Sequence, residues 1–291
     1  MVLPLRGKVA LVSAVALASI SLYAQQGPAL AEVLKSAADY LDTFAGRLAG
    51  VAAEELYTQH DTGTGKILAT RRLRSDLLFL GLAEGAVSTF RDVFERDGNA
   101  IRPRQDRLVK LFQESPGSSM AAARQLSEDS IRQYISPNIS SIDDPMLALE
   151  FFRARHQERS AFKLESVKTS NGTRVAVVKF TEHRHTPRVV PSLDNEPAWG
   201  RAWIDVASGA ITQTEVVFSS QTFLLRSLVK YAMTPAIGAW LPVEMTQQCD
   251  ISFKEAGQAT HITPYNARMS LEGRATYAGY RRVAVDLSKI R

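Results

Sequence analysis

The residues in this chain that could do chemistry are few and scattered. His183 and His185 stand two apart, with Glu182 adjacent, a spacing that puts both imidazoles on one side of an extended segment and suits a metal such as zinc. A third ligand is missing nearby, and His60, His156 and His261 are each isolated. The pattern therefore predicts no metal site, and the histidines read as structural or solvent-facing. Cys249 is the single cysteine. Set in Gln248-Cys249-Asp250-Ile251 on an expected strand, it reads as a small buried apolar group rather than a nucleophile, and it can form no intrachain disulfide. No Gly-x-Ser-x-Gly elbow and no His-Glu-x-x-His pair occurs, and Gly63-Thr64-Gly65-Lys66 has neither the spacing nor the hydroxyl of a phosphate loop. The carboxylates Glu54-Glu55 and Asp143-Asp144 are sequence neighbours; in a strand, neighbours point to opposite faces and cannot share a proton. The expectation is a protein that is not an enzyme and uses no cofactor.

What remains is apolar or basic. Leu41, Phe44, Leu78, Leu80 and Trp203 are the candidates for lining a hydrophobic cavity, with plain core as the competing reading. Arg71-Arg72-Leu73-Arg74 and Arg281-Arg282 could meet an anionic headgroup at a sheet rim, but such runs more often form the solvated outer face.

The elements that must position these residues are strands, interrupted once by helices. Trp199 to Phe218 has aromatic and β-branched arms around Asp205, Ser208 and Gly209, which marks a β-hairpin. By strict alternation Ile211, Gln213, Glu215 and Val217 share one face, and Thr212, Thr214, Val216 and Phe218 the other. Ala29 to Ala45 carries apolar residues at three- and four-residue steps and predicts an amphipathic helix, which Gly46 and Gly50 end. Residues 46 to 102 read as a meander of three or four strands with turns at 61–66 and Asp97-Gly98. Helices come next at Gln105–Phe112, Ser118–Tyr134 and Met146–Phe152, the last capped by Asp144 with Pro145 at its first position. Strands return at Phe162–Thr169, turn at Ser170-Asn171-Gly172, and continue with Arg174–Glu182, Gln221–Ala232, Leu241–Phe253 and Ala267–Val285. The fold class expected is α+β: one large curved antiparallel sheet, an incomplete β-barrel, with helices covering its concave side.

Composition agrees with an ordinary globular chain: 291 residues, 45% apolar and 22% charged. Residues 1–24 read as a signal peptide, with Arg6 and Lys8 before the apolar run 9–23 and a small residue at Ala24; Ala29-Leu30-Ala31 offers a second cleavage site. The run is short for a membrane span of about 20 residues, and an uncleaved anchor is the alternative. Removing residues 1–24 leaves 33 basic and 30 acidic groups, net +3, too mild a charge for a nucleic-acid partner. Residues 25–291 are then expected to form a single domain with a helical insertion at about 104–152, periplasmic or secreted and monomeric.

At Trp203-Ile204-Asp205, Ser208-Gly209, Thr214-Glu215 and Leu241-Pro242-Val243-Glu244-Met245, the sequence resembles the lipoprotein-sorting carrier superfamily of periplasmic half-barrels. The marks lie within residues 160–285 and are structural rather than chemical. What the resemblance implies is a hydrophobic pocket between a curved sheet and helices, taking a lipid, another hydrophobic small molecule or a lipidated partner, with peripheral membrane contact. A cell-envelope module whose sheet is simply filled is the alternative.

Overall fold

A computed structural model of the chain describes residues 28–63, 65–82, 85–114, 117–136, 142–170, 172–190, 195–253 and 267–285. The expected signal peptide, Asn171 of the predicted turn and His261 lie outside the described residues.

Helix α1 (Leu30–Arg47) turns Val33, Ala37, Leu41 and Phe44 to the core, and the Glu32 carboxylate accepts the Ala29 N–H at its start. It runs through Gly46, two residues beyond the predicted end. Arg47 favours the last turn electrostatically and donates to the Gly238 carbonyl, and the break falls instead at Gly50. Gly50 has φ +80° and bulges out of the next strand, where a Cβ would sit 2.5 Å from the Val283 carbonyl oxygen.

The strands are β1 (Ala49–Asp61), β2 (Ala69–Gly81), β3 (Val87–Arg96), the two-residue β4 (Asn99–Ala100), β5 (Ser160–Ser170), β6 (Thr173–Glu182), β7 (Trp199–Asp205), β8 (Ile211–Ser219), β9 (Phe223–Thr234), β10 (Ala239–Phe253) and β11 (Ala267–Arg282). They form one antiparallel sheet of 11 strands in the order β4-β3-β2-β1-β11-β10-β9-β8-β7-β6-β5, open at β4 and β5: an incomplete barrel. The first and last long strands meet at its centre, so the meanders at the two ends of the chain become one surface.

Helices cover the concave side as expected, through α1, a 3₁₀ segment (Leu147–Phe152) and the short α4 (Ala154–Gln157). Helices α2 (Arg107–Glu114) and α3 (Ser119–Ile131) do otherwise. They lie on the opposite, convex face, where Leu108, Phe112 and Ala123 pack on Leu78, Leu80 and Phe90. Helix α3 also closes the β3 edge: Ser127 Oγ accepts the Arg91 N–H, and Ser130 Oγ accepts the Val93 N–H and donates to the Arg91 carbonyl. Capping an open strand edge in this way blocks pairing with other chains.

Strict alternation fails at the hairpin. Trp203 pairs with Gln213 but Ile204 with Ile211, so Thr212 is a bulge, and Ile211 joins Thr214, Val216 and Phe218 on the concave face. At the hairpin tip Gly209 has φ +72°, and a Cβ there would meet the Ser36 carbonyl of α1 at 2.1 Å. Only glycine lets hairpin and helix approach this closely.

Candidate functional site

The concave face is apolar at its ends and polar along a band across its middle. On β2, β8, β9 and β10 the buried inward apolar residues include Leu73, Leu77, Phe79, Val216, Phe218, Leu225, Val229, Met245 and Cys249. Between these patches stand Arg91, Glu55, Tyr57, Gln59, Gln247 and Tyr231, each buried, of which Arg91, Gln59, Gln247 and Tyr231 bond directly to residues of the cover.

Arg91 is the hub. Its Nε and Nη2 donate to the two oxygens of Glu55 at 2.7 and 2.9 Å, Nη1 donates to Asp143 Oδ2 at 2.7 Å, and Nη2 also reaches the Asp143 carbonyl at 3.0 Å. Tyr134 Oη donates to the same Asp143 oxygen at 2.7 Å, and its ring meets Tyr57 edge-on at 5.4 Å. Farther along, Gln59 Oε1 accepts the Ile135 N–H at 2.9 Å. Tyr57 Oη donates to Gln247, whose Nε2 donates to the Ile142 carbonyl at 2.7 Å. Tyr231 Oη donates to the Pro145 carbonyl at 2.7 Å. The described parts of the cover, Tyr134–Ile135 and Ile142–Pro145, are thus held to the sheet through their polar groups. Burial raises the Asp143 carboxyl against the pull of Arg91. Burial also pushes Asp144 up to about 6, although Thr89 Oγ1 and the Met146 N–H both donate to it. Asp144 is not the N-cap predicted: the regular segment starts at Leu147 with Met146 as its N-cap, and the Asp144 carboxylate accepts the Met146 N–H in the turn just before it.

The predicted cavity residues divide. Leu41 (0% exposed) and Phe44 (1%) meet in the concave core beside Tyr40, Phe151 and Phe152. Leu78 and Leu80 do not join them: in the unbroken apolar run of β2 it is Leu77 and Phe79 that face inward, and the other two lie beneath α2 and α3. Trp203 is half-buried on the convex face, since Ile204 is the inward residue.

Among the predicted chemical groups, Glu182 turns away from the two histidines and accepts the Val189 and Ala198 N–H groups at 2.6 and 2.9 Å, while His183 and His185 are exposed. Among the described residues no three or more His, Cys, Asp or Glu side chains gather around a common point. Cys249 is buried, with its thiol pushed up to about 12 by desolvation, which keeps it protonated and unreactive. Glu54 and Glu55 point to opposite faces. The arginine runs are tethered rather than freely solvated. Arg71 donates to the Gln133 carbonyl, Arg74 pairs with Glu54 and Glu95, Arg281 with Asp106, and Arg282 donates to the Arg47 and Ile237 carbonyls.

The sequence alone does not single out the hub. Its one signal is a charged residue between Phe90 and Val93 on a strand that buries both of its faces.

No protein-family model matches the sequence, and no curated protein matches it. Among solved structures the chain is similar to a DUF1329 family protein from Desulfovibrio piger, at 9% identity over 86% of this chain and 92% of that one, with a TM-score of 0.37. It is similar also to a LolA superfamily protein from Nitrosomonas europaea, at 10% identity over 89% of this chain and 97% of that one, with a TM-score of 0.35.

Proposed function

We propose that the chain is an exported, non-enzymatic binding protein for a hydrophobic ligand, a lipid or a lipidated partner, held between the concave face of the sheet and its cover. The polar mounting of that cover carries the reading. Ile135, Ile142, Asp143 and Pro145 of that cover are fixed by Gln59, Gln247, Arg91 and Tyr231 in turn, while the wall on either side of this band is apolar. Polar groups released from the band can be rehydrated by water, whereas the apolar wall is stable only against apolar matter. An acyl chain can take the place of the cover against that apolar wall. Export is supported by the positive start and the apolar run 9–23, with cleavage near Ala24 and a monomeric product in the periplasm or medium. An uncleaved N-terminal anchor is the alternative. The protonated, buried Cys249 and the scattered histidines support a role without catalysis.

A second reading, a filled envelope module, is favoured by one observation: Leu41, Phe44, Phe151 and Phe152 are all at most 1% exposed, which is packing of core quality. Native mass spectrometry of protein purified from a bacterial periplasm, with lipid extraction and titration by a fluorescent fatty acid, separates the two. Co-purified lipid with saturable probe uptake is the expected result. Neither lipid nor uptake leaves only the filled module.

A further inference from the structure

The convex face carries a second surface, unrelated to the concave site. Over most of this face the charges are matched across strands. Arg201 pairs with Glu165 and Glu215, Glu215 with Arg226, Glu244 with Lys230 and Arg274, and Arg74 with Glu54 and Glu95. Such a ladder is self-neutralised and offers an outside partner little. The β5–β7 end differs. Lys163, Lys168 and Lys179 project from the same face, and among the described residues none of them forms an ion pair. Glu165, the nearest acidic residue, is already engaged by Arg201 at 2.7 Å.

These lysines border an apolar surface. Trp203 lies on β7 against Val177 of β6, with Val175 beside it, and the exposed Val243 bulges from β10 at the far side. Together with Thr212 and Lys230 these residues line an open groove of about 450 Å³ that reaches from Lys168 across to Val243. Trp199, two residues before Arg201 on the same face, has Lys179 Nζ 6.0 Å above its ring. A half-buried tryptophan pair bordered by lysines outside any described ion pair matches the interfacial belt of a membrane. The indole rings favour headgroup depth, and the ammonium groups meet anionic lipid. At about 4.8 Å between strands, the surface from β5 to β10 is roughly 24 Å wide, broad enough for a bilayer rather than for a single small anion.

We infer that the convex β5–β7 face docks on the surface of an anionic lipid bilayer, with Trp199 and Trp203 at headgroup depth and Lys163, Lys168 and Lys179 against the lipid charges. The concave site then opens away from the membrane. Docking needs neither a ligand there nor any contact by the strand-tip residues.

The test is co-sedimentation of the purified chain with vesicles of phosphatidylglycerol and phosphatidylcholine in equal parts, against vesicles of phosphatidylcholine alone. Wild type and variants share one N-terminus, so any contribution from residues 1–24 cancels. Binding to the anionic vesicles, weak or absent binding to the neutral ones, and loss of binding at high salt are expected. Each lysine is worth about a fivefold factor at such a surface, so Lys168→Gln with Lys179→Gln should weaken partitioning about 25-fold. Trp203→Ala should weaken it further at unchanged salt dependence. The control, Lys35→Gln with Lys110→Gln, removes equal charge from α1 and α2 and should change binding less than about twofold; urea midpoints verify that every variant is folded. Equal loss in the control pair, equal binding to neutral vesicles, or no sedimentation at all overturns the inference. So does quenching of tryptophan fluorescence by free dodecanoate with no vesicle binding, which would make the groove a small-anion site instead.

Discussion

Replacing Arg91 by leucine tests the polar mounting of the cover most severely. The guanidinium makes four hydrogen bonds, two to Glu55 and two to Asp143, and the side chains of these residues are 0% and 12% exposed. Leucine fills much of the space but leaves two carboxylates facing one another without a cation. Breaking one partner out of a buried ion pair costs about 3–5 kcal/mol, most of it from the charge left behind. At about 2–4 °C per kcal/mol for a chain of this size class, the melting temperature should fall by roughly 6–20 °C. The loss should also depend on pH. Burial already raises the Asp143 carboxyl while Arg91 opposes the rise, so removing Arg91 raises it further. A carboxyl whose folded pKa lies above its unfolded value gives stability that is present below the unfolded pKa and lost as pH rises through the folded one. The deficit of the variant against wild type should therefore be largest near neutral pH and shrink toward pH 4. Urea denaturation of both proteins at pH 4.5, 6 and 7.5 measures this. A deficit below about 1 kcal/mol, equal at all three values, would refute the reasoning, because it would mean that water reaches the cluster and the cover is not held by it.

Other expectations rest on individual placements. Ile204→Ala should cost about 2–5 kcal/mol, since Ile204 is fully buried, whereas Trp203→Ala on the convex face should cost clearly less; equal urea midpoints for the two would contradict the facing assigned here. Asp144, held at about 6 by burial, contributes stability that is present below about pH 3.8 and falls away as pH rises through 6, so Asp144→Asn should flatten that part of the stability profile; an unchanged slope between pH 4 and 7 argues against it. Gly209→Ala places a Cβ 2.1 Å from the Ser36 carbonyl at a positive φ and should destabilise by about 1–3 kcal/mol, read from the thermal midpoint; a neutral effect would mean that hairpin and α1 do not touch. Cys249 should resist iodoacetamide in the native protein and react in urea, and rapid native alkylation would disprove its burial.

The successive hairpins of this sheet are legible in the chain because their turns carry their own marks, whereas the central β1–β11 pairing has no mark in the sequence. Asp97-Gly98, with both residues at positive φ, and the Asp205–Gly209 tip stand where turn chemistry puts them. The sides of the sheet are harder to read. Bulges at Gly50, Thr212 and Val243 each add one residue and flip the facing of the rest of their strand, and only the first is marked by its residue type, a glycine. In β2 the run Leu77-Leu78-Phe79-Leu80 is buried on both faces, so alternation cannot say which pair lines the concave side. The Arg91 cluster escapes for another reason. Its members come from three places, 36 and 52 residues apart from Arg91, and each alone looks like an ordinary surface charge. Only the sheet order, which sets β1 across β2 from β3, places Glu55 within reach of Arg91.

The ligand site itself is tested most directly by photolabelling with a fatty acid that carries a diazirine near its methyl end, followed by peptide mapping of the labelled protein. The account predicts saturable labelling on the concave side, in α1 around Leu41 and Phe44 and in the cover near Met146 to Phe152, and loss of that label to competing unlabelled fatty acid. Labelling confined to the convex strands around Trp203, or none that competitor removes, would contradict it.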